Sequence, residues 1–297
     1  MASSWLKERL GETLHRALYD ISPLWLVKLR YRKATGRRYD PLRPRTLDEK
    51  LLWLMLYWRH PLKSRCADKY AVRSYVEENG LGHTLIDLLG VYDSFREIDI
   101  EGLPERFVFK GTHGCGFNII CTDKSKLDID DAKRRLEEWM RTDVSRYFGE
   151  LHYAAIKPRI ICEAFLEDRP GEPLNDYKVY CFHGKAHCTM ACTGRTERGA
   201  FYDFYDRGWK NKLAYSKTSL LADRHIPRPE AYDEIIEAAE KLSKPFPFVR
   251  ADFYSVRGRA KFGEMTFTPH ACIDTNITEL AQNTMGDLLE LPEKILE

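Results

Sequence analysis

Long apolar runs are missing from this chain: no stretch approaches about eighteen uncharged apolar residues, which excludes a membrane-spanning helix. Internal repeats and low-complexity segments are missing too, so solenoid and linker architectures fall away. Eight cysteines in 297 residues are too few for a disulfide framework. The charged N-terminal stretch shows no cleavable leader pattern. Together these lead to the expectation of reduced thiols in a cytoplasmic protein. Disorder is excluded in turn, because 43% of the residues are hydrophobic. That suffices for one large domain or two small ones.

The formal net charge is only +2, yet it is unevenly spread. Residues 1–66 hold 15 Lys and Arg against 6 Asp and Glu, whereas the remainder holds 32 against 39. A basic front is joined to a mildly acidic body. The front reads as helical. Trp5, Leu6, Leu10, Leu14, Ala17, Leu18 and Ile21 recur at spacings of three and four. Pro23 interrupts that stripe before a second apolar cluster, Leu24 to Leu29. Thr46 and Glu49 make a capping box ahead of Leu51, Leu52, Leu54 and Met55. Trp5, Trp25, Trp53 and Trp58 read as core of a helical cap. The surplus of Lys and Arg suits an anionic membrane surface or polymer. No nucleic-acid motif is present, so no nucleic-acid partner is expected.

Helix and strand signals mix in the body. A helix is expected over Asp68 to Glu78, and an amphipathic one over Ile129 to Met140. Strands are expected at Phe107 to Phe109, Asn118 to Cys121 and Arg159 to Leu166. A hairpin joins Tyr177–Phe182 to Ala186–Cys192 through His183-Gly184-Lys185. Pro229 opens a helix carrying Tyr232, Ile235, Ile236, Ala239 and Leu242. A last hairpin runs from Val249 to Tyr254, turns near Arg257-Gly258, and returns over Lys261 to Phe267. The class is therefore α+β, or mixed α/β.

Three constellations could carry chemistry. Lys110-Gly111-Thr112-His113-Gly114-Cys115-Gly116-Phe117-Asn118 lies between two strands. Its glycines let backbone amides approach a polyphosphate, and the lysine adds a point charge. It lacks the Gly-Lys-Ser/Thr of a P-loop. Read alone, such a loop is more often just a hairpin turn. Arg250, Asp252 and Tyr254 alternate onto one strand face, and Glu264 and Thr266 share a face of the return strand. Two acids on adjacent strands beside an arginine suit a hard cation held together with substrate phosphates. A plain cross-strand ion pair remains the rival reading. Glu163, Phe165 and Leu166 end a strand whose exposed edge suits a purine, though read alone it is rather an ordinary sheet edge, and Asp176 and Lys178 follow a Pro/Gly-rich loop.

The order of these segments is informative. The stretches F-V-F-K-G-T-H-G-C-G-F-N, D-Y-K-V-Y-C-F-H-G-K and V-R-A-D-F-Y…F-G-E-M-T-F-T-P resemble the TupA-like ATP-grasp family, named for teichuronopeptide synthesis, over roughly residues 46–290. The resemblance implies an ATP-grasp fold, two α+β subdomains gripping ATP. A basic helical region, 1–66, would precede an ATP-grasp domain, 67–297. Within it a segment of about 67–105 would lead into nucleotide and metal subdomains at about 106–290. It implies Lys69 and Lys110 on the nucleotide phosphates, with Gly114 and Gly116 in the loop that closes over them. Glu163, Phe165 and Leu166 would form the adenine hinge, and Asp176 would bind ribose beside Lys178. Lys210, with Lys212 as its rival, would be a further phosphate lysine. Asp252 and Glu264 would hold Mg²⁺, joined by Thr266 where the wider superfamily usually has Asn. Arg250 would face the reacting phosphoryl or acyl group.

The implied activity is an ATP-dependent carboxylate–amine ligation, joining an amino acid to a sugar acid in a surface polysaccharide. The alternatives are an ATP-dependent sugar kinase, or a glycosyltransferase, which needs a nucleotide-sugar site. The partners implied are small-molecule or glycan carboxylates and amines. The implied location is the cytoplasm, with the basic front as a means of attachment to the inner face of a membrane.

Overall fold

The computed structural model describes residue 15 and residues 17–196, 199–218 and 224–296. Trp5, Leu6, Leu10 and Leu14 of the expected first stripe lie outside the described residues. Helix α1 (Pro23–Thr35) starts with Pro23 at its first turn and stops at Gly36, whose φ of +73° is a left-handed C-cap. Helix α2 (Leu47–Tyr57) carries the expected capping box: Thr46 accepts from the Glu49 amide, and Glu49 reaches back. The short helices α3 (Pro61–Ala67) and α4 (Val72–Glu78) follow. The helix expected from Asp68 starts only at Val72. Asp68 Oδ1 accepts from the amides of Tyr70 and Ala71 and holds 68–71 as a turn.

Four antiparallel strands make the smaller sheet: β1 (Leu88–Tyr92), β2 (Phe107–Gly111), β3 (Asn118–Cys121) and β4 (Ile160–Ala164), in the order β1-β4-β2-β3. Phe107, Phe109, Ile119, Cys121, Ile160 and Cys162 share one face. They pack against Ala132, Leu136 and Trp139, the apolar stripe of α5 (Ile129–Arg141). Alternation sends Val108, Lys110 and Glu163 to the other face. A one-turn helix, α6 (Val144–Phe148), then leads through a 3-10 turn at Leu151–Ala155 into β4.

The larger sheet has six strands in the order β10-β9-β5-β6-β7-β8: β5 (Asp176–Phe182), β6 (Lys185–Thr196), β7 (Gly199–Asp206), β8 (Lys212–Leu213), β9 (Phe248–Val256) and β10 (Arg259–Thr266). Its tight turns have the expected chemistry, with positive φ at His183 and Gly184 and at Arg257 and Gly258. Helix α7 (Tyr232–Ser243) covers one face, and the Tyr232 hydroxyl shares a hydrogen bond with Thr189. The opposite face carries Asp176, Lys178, Arg250 and Asp252.

A β-bulge between Phe262 and Glu264 sets the register of the last hairpin. Phe262 stands opposite Phe253, yet Glu264 stands opposite Asp252 and Thr266 opposite Arg250. Gly263 is the extra residue, and a Cβ there would come 3.0 Å from the Asp252 carbonyl oxygen. In a regular ladder Glu264 would face Ala251 and point into the α7 side. The bulge therefore puts Glu264 on the face of Asp252.

The described part of the front is built into the body. Residues of α2, the large sheet and the C-terminal helix α8 (Glu279–Leu288) share one apolar core, which includes Leu51, Leu52, Phe248 and Met285. Trp53 and Trp58 are buried as expected, but Trp25 is 65% exposed. It lies with Ile21 and Leu29 on the outer face of the α1 segment, away from the core residues Leu26 and Val27. Helix α8 meets the start of α2 so closely that a Cβ on Gly286 would sit 2.5 Å from the Arg45 carbonyl oxygen. Lys50 Nζ donates to the Gly286 and Leu289 carbonyls across the same seam. Gly286→Ala should therefore cost about 1–3 kcal/mol. Denaturant unfolding would show it as a lower midpoint with little change in slope. An unchanged midpoint would mean that this seam carries no stability.

Candidate active site

Buried cations and carboxylates converge where the small sheet, the turn before α4 and the hairpin β9–β10 meet. Asp252 is gripped from two sides. Arg250 Nε and Nη2 donate to its two oxygens at 2.8 Å each, and Lys178 Nζ lies 2.6 Å from Oδ2. Arg250 also donates to Thr266 Oγ1 at 3.1 Å, and the Thr266 hydroxyl donates to Glu264 Oε1 at 3.2 Å. Lys69 Nζ is 3.4 Å from Glu264 Oε2 and donates to the Gly114 carbonyl at 2.5 Å. Lys69 is thereby tied to both the glycine loop and Glu264.

Electrostatics follow from this crowding. Burial alone would raise the pKa of Glu264, but Lys69, Lys178, Arg250 and Lys110 outweigh it and bring it down to about 2. Burial likewise disfavours charge on Lys178 and Arg250, yet Asp252 keeps both more strongly protonated than usual.

The small sheet supplies a second clamp. Lys110 Nζ is 2.6 Å from Glu163 Oε2, and Arg73 Nη1 is 3.3 Å from Glu163 Oε1. The Glu163 side chain is thus committed to Lys110 and Arg73, and β4 ends one residue later at Ala164. Phe165 and Leu166 follow as half-buried residues at the strand exit, with the Arg106 guanidinium 5.0 Å from the Phe165 ring centre.

Between these clamps runs the glycine loop. The Gly111 amide donates to the Phe117 carbonyl, and the Lys69 amide donates to the Thr112 carbonyl. Gly114 is buried where a Cβ would come within 2.9 Å of Val144 Cγ2, and Gly116 takes a φ of +73° at the exposed tip. Phe117 stacks on Trp139 with ring centres 5.3 Å apart, fastening the loop to α5. His113 is a structural residue: its Nε2 donates to the Trp139 carbonyl, and burial lowers its pKa. Asp176 is buried on the same sheet face as Lys178 and accepts from Arg195.

Lys69, Lys110, Gly114, Gly116, Glu163, Lys178, Arg250, Asp252, Glu264 and Thr266 are thus brought into one neighbourhood, with Phe165, Leu166 and Asp176 at its margins. Lys210 is not brought there. It is exposed in the turn after β7, where its amide donates to Asp206. Its rival, Lys212, pairs with buried Asp203 at 2.8 Å. Register places both members of that pair on the α7 side of the sheet. Neither lysine reaches the carboxylate cluster because the β7–β8 hairpin points them elsewhere. Arg73 and Arg195 are additions to the expected set. Arg73 follows Lys69 by one helical turn, the only trace it leaves in the sequence.

These residues fit a magnesium–nucleotide group in part. Glu264 is ionised at any physiological pH, and carboxylate and hydroxyl oxygens are hard donors. Both oxygens of Asp252 are already engaged, Oδ1 by Arg250 alone and Oδ2 by Arg250 and Lys178, so a metal would take the remaining lone pair of Oδ1, or Oδ2 once Lys178 gives way. Released onto nearby phosphate oxygens, the lysine would remain neutralised.

Lysines from two sheets, a glycine loop and a strand-borne carboxylate pair define an ATP-grasp arrangement. The sequence model of the TupA-like ATP-grasp family matches residues 49–290, and the chain belongs to that family. No curated protein matches the chain by sequence. Among solved structures it is similar to D-alanine–D-alanine ligase from Bacillus anthracis complexed with ATP, at 12% identity and TM-score 0.39, over 75% of this chain and 57% of that one. The same ligase from Helicobacter pylori gives 12% and 0.44, over 77% and 60%. A D-cycloserine synthetase gives 14% and 0.44, over 77% and 72%. The chain spans about three-fifths of the length of the two D-alanine–D-alanine ligases.

Because its folded pKa is depressed, Glu264 contributes stability at neutral pH that is lost as pH falls from about 4.5 towards about 2. Glu264→Gln should flatten that part of the stability–pH curve. Urea midpoints measured across the window will show it, and parallel curves for the two proteins would refute the charge assignment.

Proposed function

We propose that this chain is an ATP-dependent ligase that activates a carboxylate as an acyl phosphate and joins it to an amine. The observation that carries this reading is the convergence of Lys69, Lys110, Lys178 and Arg250 on Asp252 and Glu264. With Arg73 and Glu163 included, five cations stand around three carboxylates and leave a surplus of positive charge, which suits a polyphosphate with its counter-ion. Magnesium held by Glu264 and Asp252 with Thr266 would neutralise phosphate charge.

The residues then divide the work. Lys69 and Lys110 bind the phosphates, and the loop between Gly111 and Phe117 screens them from water. Transfer of the γ-phosphoryl to a substrate carboxylate oxygen breaks the bond to ADP, and catalysis there is chiefly positioning and electrostatics. The amine nitrogen attacks the acyl carbon, phosphate departs, and the amine proton passes to solvent. Arg250, held rigid by Asp252, faces the oxyanion that develops. The strand exit at Phe165 and Leu166 would take the adenine edge, with Asp176 on the ribose.

The family's name supports a surface polysaccharide as the setting, with an amino acid joined to a sugar acid. The front supports attachment to an anionic membrane face. Ile21, Trp25 and Leu29 recur every four residues and are exposed, beside exposed Arg32, Lys33 and Arg38. A glycosyltransferase is disfavoured. The Asp-x-Asp pattern at Asp128–Asp130 is used to cap α5, where Asp128 accepts from the Asp131 amide.

Incubation with Mg·ATP and a panel of uronic acids and amines should release ADP and yield an amide by mass spectrometry. A phosphorylated sugar without amide would establish the kinase instead. Lys110→Ala should weaken nucleotide binding, and Arg250→Ala should lower kcat by about 10²–10³. Unchanged nucleotide affinity in the first variant would remove Lys110 from the phosphate site.

A further inference from the structure

Ile21, Trp25 and Leu29, on α1 and just before it, are 77%, 65% and 45% exposed. The charge around them is almost all of one sign. Residues 21–45 hold eight Lys and Arg against a single acid, Asp40. Two of the eight are spent: Arg30 turns inward to the Phe148 carbonyl, and Arg37 pairs with Glu279. Among the described residues Lys28, Arg32, Lys33 and Arg38 have no ion-pair partner, and Lys28 Nζ lies 5.9 Å from the Trp25 ring centre.

Whatever covers this face must take up apolar side chains and match a positive surplus. Residues 1–14 bring no such match, because Lys7 and Arg9 balance Glu8 and Glu12 there. A second copy docking face to face would bring like charge. An anionic polymer would answer the charge but leave Ile21 and Leu29 in water. A bilayer of anionic lipids answers both demands. Tryptophan settles at the headgroup level, the aliphatic side chains reach below it, and flanking Lys and Arg extend to the phosphates.

The inner side of α1 leads to the reaction centre through one helix. Arg30 donates to the Phe148 carbonyl at 2.6 Å and lies 4.8 Å from the Phe148 ring centre, at the end of α6. Val27 Cγ2 is 3.6 Å from where a Cβ on Gly149 would stand. At the start of α6, Val144 Cγ2 is 2.9 Å from where a Cβ on Gly114 would stand, in the glycine loop. With helices packing about 8–10 Å apart, the loop lies within about 20 Å of the exposed face. A sugar acid projecting from a lipid headgroup would arrive at that height.

We infer that α1 lies on an anionic bilayer through Ile21, Trp25 and Leu29, and that the carboxylate acceptor is carried by that membrane. The docking half stands on the surface of α1; the acceptor half rests on the ligase reading.

Sedimentation of the full chain with vesicles tests the first half without turnover. Binding is expected to mixed phosphatidylcholine–phosphatidylglycerol vesicles and not to phosphatidylcholine alone, and it should fall as salt is added. The double variant Trp25→Glu, Leu29→Glu should weaken it at least about 10-fold. Trp25→Phe should keep binding but lose part of the tryptophan quenching by brominated lipid, which places Trp25 in the bilayer. No binding to anionic vesicles, or unchanged binding of the double variant, would overturn the docking. So would binding of polygalacturonate, or self-association, through this face in place of vesicles. For the second half, hexadecyl glycosides of the panel's uronic acids are set in anionic vesicles with Mg·ATP and the same amines. They should release ADP at least about 10-fold faster than the free acids, and the double variant should lose that advantage. Equal rates would overturn the acceptor half. No ADP release from either form sinks the ligase reading, while sedimentation still decides the docking.

Discussion

Cations held against buried Asp252 and half-buried Glu264 are the interaction on which the rest of this structure depends. Taking Lys178, Arg250 and Asp252 out of water is costly unless each charge is matched, and the bidentate Arg250–Asp252 contact with Lys178 alongside supplies that match. The contribution of such a group to net stability is modest by nature. Its value in the proposed reaction would be that Arg250 is fixed in place beforehand, with Lys178 the group left to move.

Much of the fold was legible because its signals are local. The capping box at Thr46 and Glu49, the stripe of α5 and the glycine turns each depend on residues within one turn or hairpin. Strand β1 and helix α8 left weaker marks. Strand β1 has half-buried and exposed residues and no clean alternation, and α8 is identified by what it packs against. The candidate site residues stood in the sequence as an ordered series, although their pairing was not legible there. That Glu163 would be spent on Lys110 and Arg73, or that Lys212 would turn to Asp203, depends on register between segments far apart in sequence.

The basic front illustrates the same limit. Its charge excess is plain in composition, and its tryptophans read equally well as core. Only packing separates them: Trp53 and Trp58 go inward and Trp25 stays out. A region that composition sets apart from the body therefore shares the body's core. Through Asp48, which accepts from the Asp274 amide, it also holds the segment that follows β10.

The extra residue at Gly263 has one further consequence. Side chains along a strand alternate with a period of two, so the hairpin β9–β10 stores the identity of its inward face as a parity. A change of one residue within the return strand at Gly263 would exchange Glu264 for an apolar neighbour on that face, while a change of two would preserve it. A residue with no side chain therefore keeps the count.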